Sequence, residues 1–256
     1  MHRPRTVSAV ALLFGLLVSA CASNVPPARM ADYVGPSGSI GTSQPLPDWG
    51  VTKAGLVLVM DTSAPDAAPR LPDQALEQMG ERLQAEFNRL LPVVVTKVLP
   101  ADGIKPDGDL AKLCDVGKKE GLDALVVVVA SATEVEYPIQ VAVMWTTHVV
   151  PGLRRDNWSL VEAALIDVRT GHVLIQAEGR GWATLDRPTV PDVNLWYPVI
   201  WKRPLDPNWR WWPPTFESAP HTLRVIAMQE AVKRLTPNLL QAWTNKRTAE
   251  VAALGQ

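Results

Sequence analysis

Two short runs of uninterrupted apolar residues constrain this chain more than any other feature, Leu56-Val57-Leu58-Val59-Met60 and Leu125 to Val129, with Val93-Val94-Val95 opening a further strand between them. A strand with one wet face alternates apolar and polar residues, whereas a run without alternation needs cover on both faces. The segments between the runs supply that cover. Leu76, Met79, Leu83, Phe87 and Leu90 recur at three- and four-residue spacing, which predicts an amphipathic helix over 72–90. Pro72 suits its first position and Pro92 lies beyond its end. Asp109 stands where an N-cap belongs, ahead of Leu110, Leu113, Cys114 and Gly117, and Gly121 suits the C-terminal cap. The order strand, helix, strand, helix, strand implies an α/β layer with a partly parallel sheet.

The pattern then changes. Ile139 to Val150 is a longer β-prone stretch, and the segments Trp158–Asp167 and His172–Glu178 flank Val168-Arg169-Thr170-Gly171. Gly171 supplies the positive φ that a tight turn needs, so the two segments read as a hairpin. Val161, Ala163 and Leu165 are expected on one face, as are Val173, Ile175 and Ala177, with Gln176 and Glu178 on the wetter side. From Thr222 a helix carries Val225, Met228, Val232 and Leu235, Pro237 kinks or restarts it, and 244–256 reads as a frayed end. The expected fold class is α/β (α+β): a mixed sheet of five to six strands with amphipathic helices, ending in a hairpin and a long helix.

The first residues follow a different logic. His2, Arg3 and Arg5 precede an apolar run from Val7 to Val18, closed by the small residues Ser19 and Ala20. This is the pattern of a secretory signal, and its dozen or so apolar residues fall short of the roughly 20 that span a bilayer. Leu17-Val18-Ser19-Ala20-Cys21 resembles a bacterial lipobox. That resemblance implies lipidation of Cys21, which becomes the first residue of the mature chain. The plainer reading is an ordinary signal cut after a small residue, with Cys21 incidental. Ala22 and Ser23 follow, without the aspartate that favours inner-membrane retention in such proteins, so the resemblance favours the outer membrane. Residues 1–20 thus read as a signal peptide, 21–50 as a lipidated cysteine with a flexible Pro/Ser/Gly/Ala tether, and 51–250 as one domain. A coil of about 29 residues would reach roughly 30 Å.

The formal net charge is −1 and no basic tract is present, which argues against a nucleic-acid partner. The chain has two cysteines. With Cys21 lipidated, Cys114 has no intramolecular partner, and its apolar helical setting marks a buried thiol. No Gly-x-Ser-x-Gly elbow, P-loop or His-Glu-x-x-His occurs, and no cofactor is expected. Gly179-Arg180-Gly181 is too short to signal nucleotide binding, and His148, His172 and His221 lack metal-ligand spacing. Glu134 and Glu136 lie two apart on a β-like segment. Such a pair suits glycoside cleavage, which needs an acid and a base or nucleophile, but solvated strand ends are the simpler account.

An insertion at 186–220 carries the one unusual chemical feature. Trp196, Tyr197, Trp201, Trp209, Trp211, Trp212 and Phe216 alternate with prolines, and Lys202, Arg203 and Arg210 lie among them. Prolines stiffen such a segment and block strand pairing. Four readings stay open for Trp196, Tyr197, Trp201, Trp209, Arg210, Trp211 and Trp212: packing over the sheet, an oligomer or partner interface, a glycan-stacking platform, and contact with the lipid interface.

Three pieces together carry a family resemblance: the buried strand ending in Asp61, Gly121-Leu-Asp-Ala-Leu-Val-Val-Val entering a strand, and the hairpin Ala164-Leu-Ile-Asp-Val-Arg-Thr-Gly-His-Val-Leu. They resemble the α/β domain of envelope lipoproteins of the TolB N-terminal, CsgG and LpoB type. Val149-Val-Pro-Gly-Leu-Arg-Arg-Asp156 followed by that hairpin is similar to the rhombotarget lipoprotein family. The resemblance implies a non-enzymatic lipoprotein of the outer membrane with its domain facing the periplasm. Its role would lie in envelope assembly, secretion or regulation, through contacts with an envelope protein or as a homo-oligomer. A peptidoglycan-binding module is the alternative, and a hydrolase comes third.

Overall fold

Two parallel crossovers and an antiparallel meander share one sheet. The computed structural model describes residues 26–35, 52–142, 149–189, 197–198 and 219–254. Its strands are β1 (Lys53–Asp61), β2 (Val94–Leu99), β3 (Ala124–Ala142), β4 (Val149–Asp167), β5 (His172–Pro188) and the two-residue β6 (Tyr197–Pro198). Its helices are α1 (Met30–Val34), α2 (Asp73–Leu90), α3 (Leu110–Lys119) and α4 (Ala219–Leu254). The strand order is β2-β1-β3-β4-β5-β6. β1 runs parallel to both β2 and β3, and the remaining pairs are antiparallel. The mixed α/β sheet expected from the sequence is the sheet observed.

The handedness of crossovers decides which face each helix covers. β1 to β2 steps one way along the sheet and β2 to β3 steps back the other way, so right-handed connections put α2 and α3 on opposite faces. The packing agrees. Leu83 and Phe87 of α2 join Leu56 and Val126 in one buried cluster, with Met228, Val232 and Leu235 of α4. Leu113 and Cys114 of α3 join Val57, Val127 and Ile166 in the other, with Met30, Tyr33 and Val34 of α1. The local signals behave as chemistry requires. Asp109 accepts from the backbone N–H groups of Ala111 and Lys112, Gly121 and Gly171 take positive φ, and Pro72 is the residue before α2, not its first. Cys114 is buried, and burial pushes its thiol up.

Four expectations change. β3 runs to Ala142, so the apolar run at 125–129 and the β-prone residues after Ile139 belong partly to one strand. α4 passes through Pro237 without a break and runs to Leu254. Val173 does not share a face with Ile175, because β5 bulges: Leu165 sits opposite Ile175 and Ile166 opposite Val173, leaving Leu174 extra. An extra residue shifts the pleat by one, so Val173 packs on the α1/α3 side while Leu174 and Ile175 pack on the α2/α4 side. Finally, residues 26–35, which read as tether, are folded onto the sheet.

Helix side chains blunt β2 and the part of β5 that β6 does not pair. On β2, Val94 N–H is bonded to Thr52, so Val95 faces outward, and Asn88 and Gln84 of α2 take its N–H and C=O. On β5, Lys246, Asn238 and Arg234 of α4 donate to the carbonyls of Leu174, Glu178 and Arg180. Occupied edge groups cannot template another strand. α4 reaches that edge because Gly179 and Gly181 leave space for its backbone. A Cβ at Gly179 would lie 2.1 Å from Ala231 O, and one at Gly181 would lie 2.1 Å from Ala227 O. The Gly-x-Gly that is too short for a nucleotide is therefore a helix-packing site. Gly181→Ala should lower stability by about 1–3 kcal/mol, the usual cost of overpacking, read as a lower urea midpoint with an unchanged m-value.

Candidate functional site

β3 continues past the end of β1, with Asp61 opposite Ser131, and β4 and β5 accompany it. This produces a three-stranded extension, and two groups of polar residues mark its base and its length. The sequence offers Glu134 and Glu136, along its length, as a candidate for chemistry, and its base lies where open α/β sheets place ligands, at the C-terminal end of a parallel strand.

At the base, the crevice beyond β1 is filled by the chain itself. The Asp61 side chain is 2% exposed and accepts from Arg29 Nε at 3.1 Å and Tyr33 OH at 3.0 Å. It also accepts from Ser63 N at 2.8 Å and Ser63 Oγ at 2.6 Å. Burial pushes its carboxyl up, but these donors outweigh it and hold it below the ordinary value of 3.8. Across the sheet, buried Glu162 accepts the backbone N–H groups of Arg29 at 2.6 Å and Met30 at 3.1 Å. These are donors that the start of α1 cannot satisfy internally. Here burial wins, and the Glu162 carboxyl lies above the ordinary 4.5. Met30, Tyr33 and Val34 are then buried among Val57, Val59 and Leu113. Gly108 N–H donates to Asp32 O at 2.7 Å, and Gly35 packs against Gly108 so closely that a Cβ would lie 2.7 Å from Gly108 O. Residues 26–35 are thus a strap held by two buried carboxylates and one apolar helix face.

Along the extension, each face carries its own ion-pair set. On the α2/α4 face, Arg224 forks onto Glu134 at 2.7 and 2.9 Å, and Arg155 donates to Glu136 at 2.9 Å while approaching Glu134 at 3.5 Å. Glu134 and Glu136 do share a face: Glu134 is half-buried under Arg224 and Arg155, while Glu136 stays exposed and pairs with Arg155. On the α1/α3 face, Arg154 forks onto Asp186 at 2.7 and 2.8 Å, and Tyr137 OH donates to Asp156 at 2.7 Å, with Thr184 on its other oxygen. Trp158 and Trp182 sit directly opposite each other on that face. Cross-strand aromatic pairs stabilise such a ribbon. Among the described residues, no group of three His, Cys, Asp or Glu side chains could hold a metal ion, and no helix is long and apolar enough to cross a membrane.

Of the sites expected from sequence, Cys21, Trp196, Trp201, Trp209, Arg210, Trp211 and Trp212 lie outside the described residues. Tyr197 pairs by its backbone with Asp186 in β6, while its side chain lies outside them. The segment that contains these tryptophans leaves from the end of β5 at the tip of the extension. It returns at α4, whose Arg224 is bound to Glu134. The strap residues Arg29 and Tyr33 and their acceptor Glu162 were not singled out in the sequence. The available signal was Met30, Tyr33 and Val34 at helical spacing inside an otherwise irregular Pro/Gly/Ser stretch.

No protein-family model matches the chain, and no curated protein matches it. Among solved structures it is similar to a neuraminyllactose-binding hemagglutinin homolog from Helicobacter pylori, 8% identical over 82% of this chain and 95% of that one, TM-score 0.39. It is also similar to the hypothetical protein CT253 from Chlamydia trachomatis, 9% identical over 78% and 99%, TM-score 0.35. A PelC dodecamer from Paraburkholderia phytofirmans matches at 15% identity over 53% and 70%, TM-score 0.23. Likenesses this distant assign neither family nor function.

The strap has a signature in solution. Tyr33→Phe removes a hydrogen bond to a buried, ionised carboxylate, worth about 1.5–3 kcal/mol. Amide exchange over residues 30–34 should therefore speed up roughly 10- to 100-fold at neutral pH. Asp61 titrates lower in the fold than in the unfolded chain, so its contribution is present above the ordinary aspartate range and is lost as pH falls through its depressed range. The difference between Tyr33→Phe and wild type should shrink over that window. A difference that is constant down to low pH would mean the bond to Asp61 is not what holds the strap.

Proposed function

We propose that this chain is a lipid-anchored protein of the outer membrane, its single α/β domain facing the periplasm and acting in envelope assembly, secretion or regulation through protein contacts. The observation that carries this reading is Leu17-Val18-Ser19-Ala20-Cys21 behind a basic start and a short apolar run. The likeness of the sheet motifs to envelope lipoproteins, the rhombotarget family in particular, supports it. The carboxylates on the sheet support a contact role over catalysis. Asp61 and Glu162 hold the strap, Glu134 and Glu136 hold Arg224 and Arg155, and Asp186 holds Arg154. A general acid or base needs a carboxyl poised to exchange a proton with substrate, and these are committed to internal donors. The density of aromatic residues at 196–216 favours peptidoglycan binding as the second reading.

Cys21→Ser should move the protein from the membrane fraction to the soluble fraction; a variant that still pellets with outer membrane would remove the anchor. For the contact role, the soluble form from Ser23 onward should self-associate or capture an envelope protein, and Trp211→Ala with Trp212→Ala should weaken that. Retention on purified peptidoglycan that drops in the same double variant would favour the glycan reading instead.

A further inference from the structure

The strap changes how far an acyl anchor at Cys21 can stand from the domain. This argument rests on the lipid-anchor reading above. Arg29 is fixed to Glu162, Asp61 and Ser63, and Pro26 is already buried. From Cys21 to Pro26 is five residue steps, which at ~3.3–3.6 Å each span at most about 18 Å. The leash of roughly 30 Å that a free 29-residue coil would supply is not available while the strap is docked.

The direction of the membrane follows from the extension. β3 continues past Ser131, the partner of Asp61, to Ala142, about 35 Å of strand at ~3.3 Å per residue. A bilayer lying across the strand ends within 18 Å of Pro26 would be pierced by a ribbon carrying Glu134, Glu136, Arg154, Arg155, Asp156 and Asp186. Charged groups in hydrocarbon are too costly for that arrangement. The bilayer must then run alongside the extension, on the face where the strap lies. Glu162, which takes the strap's N–H groups, and Trp158 are four residues apart on β4 and so share that face. Trp182 pairs with Trp158 and Arg180 pairs with Leu160, so they share it too, as does Tyr137, whose hydroxyl meets Asp156. Tryptophan and tyrosine favour the headgroup zone, and arginine pairs with phosphate. The Arg180 side chain is 53% exposed, beside Glu178, whose carboxylate it meets at 2.9 Å.

We infer that the α1-bearing face of the extension, centred on Trp158, Trp182 and Arg180, is a membrane-apposed surface that rests on lipid headgroups, with α2 and α4 turned toward the periplasm. The test uses the lipidated full chain in vesicles of phosphatidylethanolamine and phosphatidylglycerol, in a Cys114→Ala background. An environment-sensitive fluorophore is placed at Val135→Cys, on the α1-bearing face, or at Glu77→Cys on α2, and headgroup-borne spin labels serve as quenchers. The fluorophore at 135 should lose most of its emission and the one at 77 should keep it. Equal quenching, the reverse order, or no quenching at either position in protein that pellets with vesicles overturns the orientation while leaving the anchor intact. Protein that fails to pellet overturns the anchor and the orientation with it. Vesicle-bound protein whose 30–34 amides exchange as fast as an unfolded chain would also overturn the orientation, since the tether would then be long.

Discussion

The close contact between α4 and β5 sets the shape of this domain. Two glycines, Gly179 and Gly181, let a helix backbone approach a strand backbone with no side chain between them. From that distance Arg234, Asn238 and Lys246 reach the outer carbonyls of the strand. The same helix closes the α2/α4 core through Met228, Val232 and Leu235. One contact therefore covers a face and blunts an edge, two problems that an open sheet must otherwise solve separately. With β5 secured, the antiparallel strands can run beyond the layer of crossover helices and form the extension.

On the extension, stability has a different source. Among the described residues, no crossover helix lies over its outer part, and polar pairs take the place of apolar packing: Arg224 with Glu134 on one face, Arg154 with Asp186 on the other. Paired guanidinium and carboxylate groups on neighbouring strands fix register as well as energy, because a slip by one residue would carry every partner to the wrong face. Register fixed in this way keeps Trp158 opposite Trp182 and keeps both on the side of the strap. The two buried carboxylates at the base work in the same manner. Asp61 and Glu162 are remote in sequence from Arg29 and Met30, yet they convert part of a linker-like stretch into an ordered element.

What was legible in the sequence divides along these lines. Continuous apolar runs and helical spacing report burial directly, so β1, α2, α3 and the hairpin could be read from residues alone. Their caps, Asp109, Gly121 and Gly171, could be read because each answers a local backbone need. The bulge at Leu174 could not: every residue from Val173 to Ile175 is apolar, and alternation carries no signal where both faces are dry. The full length of β3 was hidden for the opposite reason. Glu134 and Glu136 look like solvent residues until Arg155 and Arg224 arrive from β4 and α4. The strap was hidden because its order comes from long-range acceptors, while its composition resembles a linker. Five helical residues give too short a periodic pattern to stand out.

Tether length read from composition is consequently an upper bound, and the bound can fail in one direction only. A linker-like sequence reaches its full span if nothing on the domain binds it, and any docked portion subtracts from that span. Here the docked portion is the middle of the linker. The steps from Cys21 to Pro26 lie on one side of it and those from Gly35 to Thr52 on the other. Only the first bears on the distance between an anchor and the domain, because the second joins two points that are both fixed on the same sheet. The strap's grip on Asp61 and Glu162 therefore carries a consequence beyond its own stability: holding the five residues of α1 limits how far Cys21 can lie from the domain.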